Sequence, residues 1–112
     1  MADVASARPR IELLSFAGCP NHARALGLLD DVLGRLGLDA VPEVIDVPDQ
    51  ETATRMRFLG SPTIRVDGFD VEPGAERRED FVVACRVYRT DAGLQGLPDE
   101  RRLVAALAHS SR

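Results

Sequence analysis

The chain of 112 residues contains no lysine and no tryptophan, a single tyrosine and only two cysteines. Each shortage removes a class of function. Without lysine there is no side-chain amine for Schiff-base chemistry and no lysine base. The 14 basic residues are all arginine, which reads as coding bias rather than chemistry. One tyrosine and no tryptophan leave little for nucleic-acid bases to stack on, and a net charge of −4 supplies no basic footprint. No apolar run approaches the ~20 residues of a membrane span. The opening MADVASARPR lacks the apolar stretch of a signal peptide. Residues 1–9 therefore read as a flexible leader, and the expected compartment is the cytoplasm, where thiols stay reduced. The cysteines, Cys19 and Cys85, lie too far apart for a local zinc knuckle.

What is present is a 45% hydrophobic chain with both charge signs interspersed. That composition fits one folded domain, residues 10–112, with a single core. Ile11–Phe16 is a short apolar run of strand length. Ala17–Pro20 is a loop, and Pro20 suits the first turn of a helix. From Asn21 to Gly37, Ala23, Leu26, Leu29, Leu33 and Leu36 recur at helical spacing, and Gly37 stops the helix. Val41–Val47 reads as a second strand. Asp49 caps a helix to about Leu59, with Ala53, Met56 and Leu59 or Phe58 as its apolar side. Thr63–Val66 is a third strand, and the Asp67-Gly68 turn returns the chain as a fourth, Phe69–Glu72.

Pro73–Asp80 reads as a loop, and Phe81–Tyr88 is ambiguous between strand and helix. Thr90–Gly96 is a turn-rich connection, and Pro98–Ala108 a last helix with Leu103, Val104 and Leu107 inward. The expected fold class is α/β in the order β-α-β-α-β-β-α, with an insertion before the last helix. Helix crossovers predict the first three strands parallel and the fourth antiparallel, in a four-stranded mixed sheet with helices on both faces.

Three features in this order carry a resemblance. They are Gly18-Cys19-Pro20 between a strand and a helix, Gly60-Ser61-Pro62-Thr63-Ile64 before the third strand, and Val66-Asp67-Gly68-Phe69 at the hairpin. Together they resemble the thioredoxin-like superfamily over residues 10–72 and 98–109. "FLGSPTIRVDGFDV" with "ACRVYRTDAGLQGLP" resembles, more narrowly, small bacterial thioredoxin-like proteins labelled as related to alkylmercury lyases. The resemblance implies a redox-active Cys19 and a cis-proline at Pro62. The sequence departs from the family at the redox motif, where Cys19-Pro20-Asn21-His22 has histidine in place of the second cysteine.

A cysteine at a helix start meets unpaired N–H groups and the positive end of the helix dipole, both of which favour the thiolate. The thiolate attacks disulfides and binds soft metals. His22, one turn on, is a candidate modulator, although a lone histidine is more often a partly exposed helix residue. Cys85 is the candidate resolving thiol if the 73–96 insertion folds back over the Cys19 end. The competing reading makes it a core cysteine among Val82, Val83, Val87 and Tyr88. Backbone beside Pro62 and Thr63 would offer strand-like bonds to a bound peptide or thiol. Arg86 and Arg89 are candidates to hold an anionic substrate group, the blander reading being solvated arginines.

The leading expectation is a thiol-disulfide oxidoreductase. Its catalytic residues are Cys19, Cys85 and His22, and its substrate-binding residues Pro62, Thr63 and Arg86. Its substrate is a protein or low-molecular-weight disulfide, and it has no cofactor beyond an external thiol reductant. Two alternatives stand beside it. One is a mercury-binding or organomercurial thiol protein; the other is a non-catalytic thioredoxin-like binding module. A Cys19, Cys85 and His22 metal site would suit zinc or copper(I), but three scattered ligands fall short of the usual four.

Overall fold

The computed structural model describes residues 9–110, with only the helical backbone given for His109 and Ser110. Residues 1–8, almost all of the expected leader, lie outside the described residues. The central strand β1 (Ile11–Ser15) is apolar on both faces and is paired on both sides. Leu13 and Leu14 are fully buried on opposite faces, as the two-residue period of a strand requires. β2 (Glu43–Asp46) lies parallel to β1, β3 (Thr63–Val66) antiparallel to it, and β4 (Phe69–Asp70) antiparallel to β3. The sheet order is β2-β1-β3-β4.

The sheet is mixed and four-stranded, as the sequence predicts, but β3 is not parallel to β1. The reason lies in the preceding connection. Its helix, α2 (Gln50–Arg55), has six residues and spans about 9 Å. It ends where Arg57 takes a φ of 55°, well before Leu59. So short a helix does not carry the chain back along the sheet. β3 therefore starts at the end where β2 stopped, with Thr63 opposite Leu14. Asp49 caps α2 as expected, its carboxylate accepting the Thr52 N–H at 2.8 Å.

α1 (His22–Leu36) closes on Gly37, whose φ of 68° lets the chain turn out of the helix. The buried stripe is Ala25, Leu29, Val32 and Leu33 rather than the stripe running through Ala23 and Leu36. The face is rotated because α1 packs at once on β1 and on α3 (Glu100–Ser110), which contributes Leu103 and Leu107. Ala23 and Leu36 are left exposed. On the opposite face Leu14, Val47, Ala53 and Phe58 form a second, smaller core beneath α2. Helices thus cover both faces. β2 is shorter than expected, and Val41 is 87% exposed.

Asp67 and Gly68 both take positive φ, 53° and 88°, which matches the right-handed twist of the flanking strands. The segment after β4 holds a 3₁₀ turn (Ala75–Arg77) and then a hairpin, β5 (Tyr88–Thr90) with β6 (Gly93–Gln95). The Phe81–Val87 stretch is neither a regular strand nor a helix. It bends at Val83 and Ala84 and makes one isolated parallel bridge, between Cys85 and Ser61. No helix among the described residues is long and apolar enough to cross a membrane.

Candidate functional site

The site grows from the end of β1. Strand alternation turns Ser15 to the same face as Ile11 and Leu13, under α1. The chain then makes a tight turn in which the Cys19 N–H donates to the Phe16 carbonyl at 3.1 Å. Gly18 has a φ of 89°, which a type II turn demands at its third position. The Cys19 carbonyl accepts the His22 N–H at 3.3 Å as α1 begins. Ser15 and His22 are thereby brought within reach, and Ser15 Oγ and His22 Nδ1 share a hydrogen bond of 2.7 Å. One ring nitrogen is held by the strand, and Nε2 is left for other partners.

Ser15 is opposite Asp46 in the parallel register. Cys19, His22, Ser15, Ala23, Val44 and Asp46 line one cleft of about 340 Å³ between α1 and the β2 edge. Cys19 is a free thiol, 8% exposed. The sequence signals Ser15 through alternation alone. Asp46 joins the cleft only through the β1–β2 register, which no local pattern reveals.

A second arrangement surrounds Pro62, whose peptide bond to Ser61 is cis. The Ser61 N–H donates to the Ala84 carbonyl at 2.8 Å, and the Arg86 N–H donates to the Ser61 carbonyl at 2.8 Å. Cys85, between them, is therefore fixed beside Ser61 with an exposed, free thiol. That exposure removes the core-cysteine reading: Val82 and Val87 are exposed as well, and of that group only Tyr88 is buried. Gly60 makes the close approach possible. A Cβ on it would lie 3.0 Å from Arg86 Cβ and 3.2 Å from the Ala84 carbonyl oxygen, at a φ of 114°.

Arg86 is the anchor of this segment, its side chain only 1% exposed. It donates to both carboxylate oxygens of Asp70 at 2.8 and 3.0 Å, to Glu72 at 2.9 Å and to Thr63 Oγ1 at 3.0 Å. The guanidinium also stacks on the Tyr88 ring, 4.3 Å from its centre. Burial pushes Arg86 toward losing its proton, but Asp70, Tyr88 and Glu72 outweigh it, and the net shift is upward. Burial likewise pushes the Tyr88 phenol up, and its hydroxyl donates to the Pro62 carbonyl. Arg86 is thus neither solvated nor free for a ligand through its terminal nitrogens. Pro62 and Thr63 are buried beneath the same segment, and the Thr63 hydroxyl donates to the Gly60 carbonyl at 2.6 Å.

Cys19 and His22 share one cleft. Cys85, Pro62, Thr63 and Arg86 form a separate packed cluster at the start of β3. Both clusters sit at the same end of the sheet, because β1 ends where β3 begins. The insertion reaches from one to the other. Its 84–86 stretch pairs with Ser61, and Gly96 abuts Asn21, two residues after Cys19. Among the described residues no three His, Cys, Asp or Glu side chains gather as metal ligands, so Cys19, Cys85 and His22 do not form such a cluster. No family model, curated protein or solved structure matches this chain, so the geometry of these two clusters carries the functional reading.

Proposed function

We propose that the chain is a thioredoxin-like thiol–disulfide exchange protein in which Cys19 is the nucleophile and Cys85 the resolving thiol. The observation that carries the reading is the bridge between Cys85 and Ser61, which holds an exposed second thiol before the start of β3, at the same end of the sheet as the turn that carries Cys19. The strand order β2-β1-β3-β4 and the turn carrying Cys19 before α1 support the same assignment.

In this mechanism the Cys19 thiolate attacks one sulfur of a substrate disulfide. An S–S bond forms to Cys19, and the other substrate thiolate leaves. Cys85, as thiolate, then attacks Cys19 Sγ, forms the Cys19–Cys85 disulfide and releases the second substrate thiolate. The substrate is reduced by two electrons and the protein oxidised by two; an external thiol restores it. His22, held at Nδ1 by Ser15, is the group available to exchange a proton with the incoming or departing sulfur. Closing the internal disulfide requires the two Cα atoms to come within roughly 4.4–6.8 Å.

The test uses reduced protein and glutathione disulfide. Wild type is expected to lose both thiols and to remain a monomer with an internal disulfide. Cys85→Ser is expected to stop at a mixed disulfide on Cys19, and Cys19→Ser to turn over no substrate. Exchange by Cys19→Ser at the wild-type rate would overturn the assignment of the nucleophile. Separate mixed disulfides on both cysteines of wild type would overturn that of the resolving thiol.

A further inference from the structure

The two clusters differ in what they offer an incoming chain. Beside Pro62 there is no vacant backbone: Ser61 uses both its N–H and its C=O on the 84–86 segment, and Pro62 and Thr63 are buried. The Cys19 cleft, by contrast, opens along β2, which is an edge strand of the sheet. The Val47 N–H donates to the Ser15 carbonyl at 2.9 Å, so Val47 faces β1. By alternation Ile45 and Glu43 also face β1, and Val44 and Asp46 turn their N–H and C=O groups outward. No described strand or loop pairs with them there. Val44 and Asp46 are the two β2 residues whose side chains line the cleft with Cys19. The same two residues therefore present an open hydrogen-bonding edge and a wall of the thiol cleft.

Charge and polarity narrow the occupant. Residues 39–49 carry Asp39, Glu43, Asp46 and Asp49 and no arginine, in a chain with 14 basic residues elsewhere. Glu43 and Asp46 are exposed and form no ion pair among the described residues, while Asp49 is spent on capping α2. Val41 and Val44, 87% and 51% exposed, add apolar surface between these carboxylates. A short acidic edge repels acidic strands and further copies of itself, and it attracts a basic one.

We propose that β2 is a docking edge for an extended polypeptide segment with alternating apolar and basic residues. The segment adds to the sheet beyond β2 and lays its own cysteine sulfur against Cys19. The docking stands on the edge geometry alone; only the sulfur chemistry rests on the exchange function proposed above.

The test separates the two. The probe is a ten-residue peptide of alternating valine and arginine around one central S-methylated cysteine, titrated into the full-length Cys19→Ser protein. A twin carries glutamate in place of arginine, and a third peptide is N-methylated at alternate positions so that one edge cannot hydrogen-bond. Backbone amide shifts are expected to centre on Val44 and Asp46. The glutamate twin is expected to bind at least tenfold more weakly, and the N-methylated peptide to lose binding. Val44→Pro removes an outward N–H without touching the ladder to β1, and it is expected to weaken binding at least fivefold. Asp46→Arg leaves Asp39, Glu43 and Asp49 in place and is expected to narrow the gap between the basic and acidic peptides.

Shifts centred on Ser61 and 84–86, equal binding of the basic and acidic peptides, or no binding would each overturn the docking proposal. Exchange of wild-type protein with glutathione disulfide is scored separately. If that reaction is absent while the basic peptide still binds at β2, the exchange function fails and the docking edge stands. The converse result sinks the edge and leaves the exchange function.

Discussion

Replacing Arg86 with methionine probes how firmly the Cys85 segment is held. The Arg86 side chain is 1% exposed and makes contacts with Asp70, Glu72, Thr63 and the Tyr88 ring. Removing one partner of a buried ion pair costs about 3–5 kcal/mol, because the other charge is left without compensation. Asp70 and Glu72 keep 11% and 22% of their side-chain surface in contact with solvent. Water can therefore take over part of the lost bonding, which places the expected cost near the lower end, about 3 kcal/mol. That is a large share of the ~5–15 kcal/mol of a typical domain, but it leaves the protein folded. Arg86→Lys retains the charge and loses the two-pronged geometry toward Asp70, so about half that cost is expected.

Urea unfolding followed by far-ultraviolet circular dichroism measures both values, provided the slope stays constant across variants. Amide exchange at Ser61 and Arg86 reports whether the segment opens locally. Arg86→Met is expected to speed exchange at both. A cost below about 1 kcal/mol, the range of exposed ion pairs, with unchanged exchange at Ser61 would refute the anchoring role.

Gly60→Ala is expected to destabilise by about 1–3 kcal/mol. It puts a Cβ at a φ of 114° and within 3.0–3.2 Å of Arg86 and Ala84; a neutral result in the same urea assay contradicts that packing. Ser15→Ala removes the 2.7 Å partner of His22 Nδ1. The nitrogen-15 spectrum of the imidazole is expected to change, with Ser15→Thr restoring it. The hydrogen bonds from Thr52, with a smaller contribution from Arg55, hold the Asp49 carboxyl below the usual carboxylate range. A group lowered in the folded state stabilises above its unfolded value of about 3.9 and stops doing so as pH falls through the folded value. Asp49→Ala is therefore expected to melt lower than wild type at neutral pH and to converge with it in acid.

Much of the scaffold could be read locally, since local chemistry decides it. Gly37 ends α1, Asp49 opens α2 and Asp67-Gly68 turns the hairpin, each through a backbone preference confined to a few residues. The orientation of β3 departs from the sequence expectation because it depends on how far the α2 connection travels, and Arg57 cuts that helix short. The buried stripe of α1 was rotated by α3, which lies far along the chain. In the site, Cys19 and His22 were visible as neighbours of a helix start. Ser15 is one small polar residue in an apolar strand and carries no signal of its own. Arg86, which reads from the sequence as a candidate to hold an anionic substrate, is instead buried in bonds to Asp70 and Glu72.

The sequence by itself determined the order of elements through β4, the caps and turns there, and the place of Cys19 before a helix, because each follows from residues adjacent in the chain; the β5–β6 hairpin was not among them. Only the tertiary structure decided what Arg86 and Cys85 became. The carboxylates of Asp70 and Glu72 draw the arginine into the protein, and the bonds at Ser61 leave the neighbouring cysteine in solvent. It also left Val44 and Asp46 facing outward beside Cys19, since strand order, a property of the whole sheet, puts β2 at its edge.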